Sequence, residues 1–129
     1  MRKVLRRGVA GVLLGATLLG TTAFAGMGSF SFEVAPGQGE RGTGAWVSRS
    51  RSQNYADINV GNFSGVSAYV YVKNNNYNRI SDMVNVTGTG HKYAYYRSAV
   101  FNGSNYQLYA APSYSNPYRV TVVQGNWQP

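Results

Sequence analysis

From Gly65 to Lys73 the chain runs Gly-Val-Ser-Ala-Tyr-Val-Tyr-Val-Lys, with its apolar residues at every second position. Val66, Ala68, Val70 and Val72 share one face, and Ser67, Tyr69, Tyr71 and Lys73 share the other. A helix would scatter such a row around its axis, whereas a strand keeps it on one side, and β-branched and aromatic residues suit that pleated surface. The stretch is therefore expected to be the central strand of an antiparallel β domain, with valines on the core and tyrosine rings outside.

Elsewhere no window places apolar residues at helical spacing for more than a turn. Short alternating runs are instead broken by Gly, Asn, Ser and Pro about every 8 to 12 residues, the pattern of a sandwich or small barrel. Phe30, Phe32 and Val34 align in the first run, which ends at Ala35-Pro36-Gly37. Residues 35 to 44 hold four glycines and a proline and are expected to form a loop. Runs follow at Ala45–Ser50, with Arg49 and Arg51 expected together on an edge or loop, and at Tyr55–Val60, which leads to a turn over Gly61–Gly65. Further runs cover Asp82–Thr87, His91–Ala99, Asn105–Ala110 and Tyr118–Gln124, with the hairpin dipeptide Asn102-Gly103 before the penultimate one and Gly125-Asn126-Trp127 as a closing tail. That makes about eight strands in a single β-sandwich. Jelly-roll, Greek-key and partly open barrel orders all remain compatible with it.

The first 25 residues have a different character. Arg2, Lys3, Arg6 and Arg7 precede an apolar run from Gly8 to about Leu19, and Ala23-Phe24-Ala25 follows. A basic start, a short apolar middle and a small-x-small site form a secretory signal, with cleavage expected after Ala25. The apolar run is shorter than the ~20 residues of a spanning helix, so no stable membrane insertion is expected once the signal is gone. Residues 26–129 then form one domain of about 100 residues, secreted to the extracellular space. With no cysteine in the chain, neither a lipoprotein anchor nor a disulfide is available, so burial and sheet pairing must stabilise it. An exported bacterial protein fits this composition.

Four of the 12 basic side chains sit in the signal, so the mature chain keeps eight against four acidic ones, a net of +4 rather than +8. That balance favours anionic cell-wall polymer or glycan as a partner and is too small to suggest nucleic acid. Catalytic groups are few. Glu33, Glu40, Asp57 and Asp82 form no close pair in sequence, and His91 is the only imidazole. No Gly-x-Ser-x-Gly elbow, zinc-ligand spacing or calcium loop is present, so neither catalysis nor a metal or other cofactor is expected. A hydrolase would have to draw on Asp57, Asp82 or His91.

The positive signal is aromatic, with 11 tyrosines and 2 tryptophans, all beyond the signal. Tyrosine offers a ring to stack on and a hydroxyl to bond with, which serves recognition surfaces. Tyr69 and Tyr71 opposite the valine row, and Tyr93, Tyr95 and Arg97 on an adjacent strand, are the expected contact residues. Ser29-Phe30-Ser31-Phe32, Pro36-Gly37-Gln38, Tyr95-Tyr96-Arg97-Ser98-Ala99 and Gly125-Asn126-Trp127 resemble the landmarks of a family of small secreted proteins of Gram-positive bacteria, a domain of unknown function. The resemblance implies secretion and a β fold and brings no catalytic residues. Two roles follow as expectations: a non-enzymatic binder of a cell-envelope or other extracellular surface polymer, or a bacteriocin-like secreted antagonist or inhibitor.

Overall fold

The computed structural model describes residues 23–113 and 119–129. Most of the expected signal, residues 1–22, and Tyr118 lie outside the described residues. Ten strands and no helix occur among those described: β1 (Ala23–Ala25), β2 (Gly28–Val34), β3 (Arg41–Gly42), β4 (Trp46–Ser48), β5 (Tyr55–Ser64), β6 (Ala68–Asn74), β7 (Val84–Val86), β8 (Gly90–Tyr95), β9 (Asn105–Pro112) and β10 (Thr121–Gln128).

They form two sheets. One has the order β1-β4-β9-β6-β7, with β3 also paired to β9; the other has the order β2-β10-β5-β8. All pairs are antiparallel except β1 with β4. The chain changes sheet between β1 and β2, β2 and β3, β4 and β5, β5 and β6, β7 and β8, β8 and β9, and β9 and β10. Because of these crossings, Asn102-Gly103 does not join paired strands as a hairpin would. It still makes a tight turn, with Gly103 at φ +89°.

Inward residues of both sheets meet in one apolar core. Ala68, Val70 and Val72 of β6, with Leu108 and Ala110 of β9, share it with Phe30, Phe32 and Val34 of β2 and Ala56, Ile58 and Val60 of β5. Fully burying a Val, Leu or Ile side chain stabilises by roughly 1.5–3 kcal/mol. In a chain without disulfides, this core supplies the main stabilising contribution.

The strand limits differ from the periodicity in five places. Val66 lies before β6 and is 39% exposed, because the chain reverses between sheets at Gly65, where φ is +113° and Thr121 comes too close for a side chain. Residues 35–44 are not all loop. Gly42 pairs with Tyr109, whose ring lies where a Cβ at position 42 would stand, 2.6 Å from the ring's Cζ. β7 is shorter than the run Asp82–Thr87, since Asp82 instead donates its backbone N–H to Tyr95 O at 2.8 Å. The segment Gly61–Ser64 is strand rather than turn, and Gly125-Asn126-Trp127 is strand rather than tail.

The last two differences share a cause. Gln124 pairs with Asn62 and Gly125 with Val60, which leaves Gly61 without a partner as a bulge. A bulge lets a strand continue past an extra residue that would otherwise turn its side chains over. Both strands thereby stay in the sheet, and Trp127 reaches the core at 1% exposure. The close approach needs a glycine, because a Cβ at position 125 would stand 1.9 Å from Asn59 O. Gly125→Ala is expected to destabilise by more than about 3 kcal/mol through this overpacking. Gly61→Ala, whose Cβ meets nothing within 4 Å, should change stability by less than about 1 kcal/mol. Urea unfolding of both variants measures the contrast, and equal losses would contradict it.

Candidate functional site

Burying Ala56, Ile58 and Val60 turns Tyr55, Asp57 and Asn59 of β5 outward. On β8, burying Ala94 does the same for His91, Tyr93 and Tyr95. The register sets Tyr55 opposite Tyr95, Asp57 opposite Tyr93 and Asn59 opposite His91. Tyr55 stands between two rings, edge-on to Tyr93 with centroids 4.8 Å apart and to Tyr95 at 5.4 Å. The guanidinium of Arg51 sits 5.3 Å from the Tyr55 ring centre and donates through Nη1 to Gln128 O at 3.1 Å. The His91 ring lies roughly parallel to Tyr93, and its Nδ1 is 2.7 Å from Asp57 Oδ1. Tyr93 and Tyr95 remain 46% and 51% exposed. Beyond them a polar ladder crosses the sheet, with Asn62 Nδ2 donating to Gln124 Oε1 and Gln124 Nε2 to Ser31 Oγ, both at 3.0 Å.

The five expected contact residues do not form one surface. Tyr93 and Tyr95 belong to the outer face of the four-stranded sheet, and Arg97 follows just beyond, exposed and 3.3 Å from Asp82 Oδ1. Tyr69 and Tyr71 lie in the other sheet, because the connection from β7 to β8 crosses over and makes β8 a partner of β5 rather than of β6. Tyr71 is also not a free ring. It is 4% exposed, roughly parallel to Tyr109 with centroids 6.2 Å apart, and its hydroxyl donates to Glu40. Burial, then the bond to Glu40, pushes its phenol well above the ordinary range.

Arg49 and Arg51 share the loop after β4, as expected, and Arg51 Nε donates to Gln53 Oε1 at 3.1 Å, but the two differ in burial. Arg49 is buried with its guanidinium 5.3 Å from the centre of Tyr96, bonded through Nη2 to Gln53 O. Its Nε and Nη1, and the Tyr96 hydroxyl, find no hydrogen-bond partner among the described residues. Burial raises the Tyr96 phenol above its usual range.

The outer face of the six-stranded sheet is a second aromatic strip. Lys73 is ion-paired with Glu40, and its ammonium lies 4.5 Å from the centre of the Tyr109 ring. Trp46 and Tyr77 meet edge to face at 5.7 Å with 61° between their planes. Sequence reasoning does not single out Trp46, Tyr77 or Tyr109 as members of these strips, since their neighbours come from strands distant in sequence. Tyr55 carries a cue in sharing a face with Asp57 opposite Ala56 and Ile58, and Tyr109 one in lying opposite Leu108 and Ala110.

Comparison of the chain with protein-family models, with curated proteins and with solved structures finds no match.

Glu40 gives the second strip a pH signature. Burial raises its carboxyl pKa, but hydrogen bonds from Lys73 and Tyr71 and the charge of Lys73 outweigh this and hold it below the ordinary 4.5. A depressed folded-state pKa adds stability above the unfolded value, and that stability is lost as pH falls through the folded one. Glu40→Gln should therefore lower stability at pH 7 and flatten its decline below pH 4.5, by under about 1 kcal/mol because the carboxylate is exposed. Urea unfolding at pH 7 and at pH 3 checks this, and a variant as acid-sensitive as the parent would contradict it.

Proposed function

We propose that the protein is an exported, non-enzymatic β-sandwich, residues 26–129 after loss of the signal and with it of β1, that binds a cell-envelope or other extracellular surface polymer. Its contact face is the outer side of the four-stranded sheet, where Tyr55, Tyr93 and Tyr95 form a platform. The observation that carries the reading is the exposure of Tyr93 and Tyr95 while both stay packed edge-to-face on Tyr55. Rings fixed by a sheet lose little freedom on meeting a ligand, and that lowers the entropic cost of binding. Arg51, Asp57, His91 and the amide ladder surround the platform with donors and acceptors suited to sugar hydroxyls. The resemblance to small secreted proteins of Gram-positive bacteria and the mature charge of +4 point the same way.

Asp57 and His91 supply an acid and an imidazole in contact, the minimum for hydrolysis. Their position on an open sheet face favours a structural pairing, which fixes the imidazole against Tyr93 as part of the platform.

Retention on purified peptidoglycan and on anionic wall polymer, measured across a salt series, tests this function. The protein is expected to be retained, with the charge-dependent part of binding fading as salt rises and the stacking part persisting. The pair Tyr93→Ala/Tyr95→Ala should weaken retention about tenfold, or ~1.4 kcal/mol. No retention at low salt, or retention unchanged in the pair variant, would count against the reading.

A further inference from the structure

The turn after β6 reads Asn74-Asn75-Asn76-Tyr77-Asn78, and Tyr77 is the one non-glycine residue with positive φ among those described, at +62°. Asparagine tolerates this left-handed region, whereas a bulky aromatic side chain does not. The turn thus places asparagine at four positions without a positive φ and tyrosine at the one that has it. Its hydrogen bonds do not call for the ring. Asn74 Oδ1 accepts from the backbone of Asn76 and Asn78 at 3.0 Å each, and Tyr77 N donates to Asn74 O at 2.9 Å. All of these would survive with asparagine at position 77. Burial does not call for it either, since Tyr77 is 57% exposed.

What the conformation achieves is placement. Tyr77 is brought edge to face with Trp46, which points outward because Val47 beside it fills the core. The exposed Tyr77 ring and the half-buried Trp46 ring, inclined at 61°, make a corner on the outer face of the six-stranded sheet. Strained backbone that no core contact offsets is characteristic of binding sites.

We propose that the Trp46–Tyr77 corner is a second saccharide site, on the sheet opposite the Tyr55 platform, that takes one pyranose unit of an extracellular polysaccharide. The C–H bonds of a pyranose face are slightly positive and complement the negative face of an aromatic ring. On the same sheet face, the Glu40 carboxylate, held by Lys73 and 40% exposed, offers an acceptor to the sugar's hydroxyls. An aromatic surface with a few fixed polar groups is the usual make-up of a small-ligand site. The assignment rests on the polymer-binding reading, yet the two can fail separately because the sites lie on different sheets.

The chain has two tryptophans, and Trp127 is buried, so a ligand-induced change in tryptophan emission reports on Trp46. Titration of the purified full chain with a soluble tetramer of β-1,4-linked N-acetylglucosamine is expected to give a saturable emission shift. Tyr77→Asn should melt at the same temperature as the parent or higher, while weakening the shift at least about tenfold. Tyr93→Ala/Tyr95→Ala should leave the shift intact even where retention on peptidoglycan is lost. No shift in the parent at up to ~10 mM saccharide, or a Tyr77→Asn protein that binds as tightly as the parent, overturns the proposal. So does a Tyr77→Asn protein that melts lower, since the ring would then be a structural prop. Loss of the shift with retention preserved removes this site alone.

Discussion

The inward rows Ala68–Val70–Val72 and Ala56–Ile58–Val60 set everything that faces solvent. A strand's side chains alternate strictly, so burying those residues leaves no choice about where Tyr55, Asp57, Tyr71 and Lys73 point. A slip of one residue in either strand would put a carboxylate or an ammonium group in the core. The outer faces are therefore a by-product of core registration, and Gly125 preserves that registration by tolerating the bulge at Gly61. Without the bulge, Phe63 and Val123 would not lie opposite each other as they do.

Alternation was legible in the sequence wherever it ran unbroken. The core faces of β2, β5 and β6 follow from counting by twos, whereas the run 91–99 carries tyrosine on both alternating faces and so does not say which of them points outward. The sheet to which a strand belongs could not be counted, because it depends on pairings between distant segments. That is why Tyr71 and Tyr93 looked like neighbours. The continuation of β5 past Gly61 was hidden for a related reason: a glycine and an asparagine signal a turn unless a partner strand takes up the extra residue. Arg49 left no trace at all. Its burial comes from Tyr96 beneath it and Gln53 beside it, while the local pattern of alternating arginine and serine suggests only solvent.

Tyr71 and Tyr93 show how one residue type takes two roles. Both face away from the core on strands of similar character. Over Tyr71 the Pro- and Gly-containing segment 35–42 folds back, bringing Glu40 to its hydroxyl and leaving Gly42 flat enough for the Tyr109 ring to cover. Nothing of that kind lies over Tyr93, whose nearest partners are Tyr55 and the imidazole of His91. Exposure was decided by a loop rather than by the strand that carries the residue.

Residues 80–82 run along one margin of the molecule and bond to both sheets. Toward β6, Ile80 N donates to Val72 O at 3.0 Å and Val72 N to Ser81 Oγ at 2.8 Å; toward the end of β8, Arg97 N donates to Ile80 O and Asp82 N to Tyr95 O, each at 2.8 Å. A load that tried to peel the layers apart at this margin would strain directional backbone bonds before it reached slippery apolar contacts. The fold thus has a mechanical clasp, and a molecule tethered at both broad surfaces would carry tension through it.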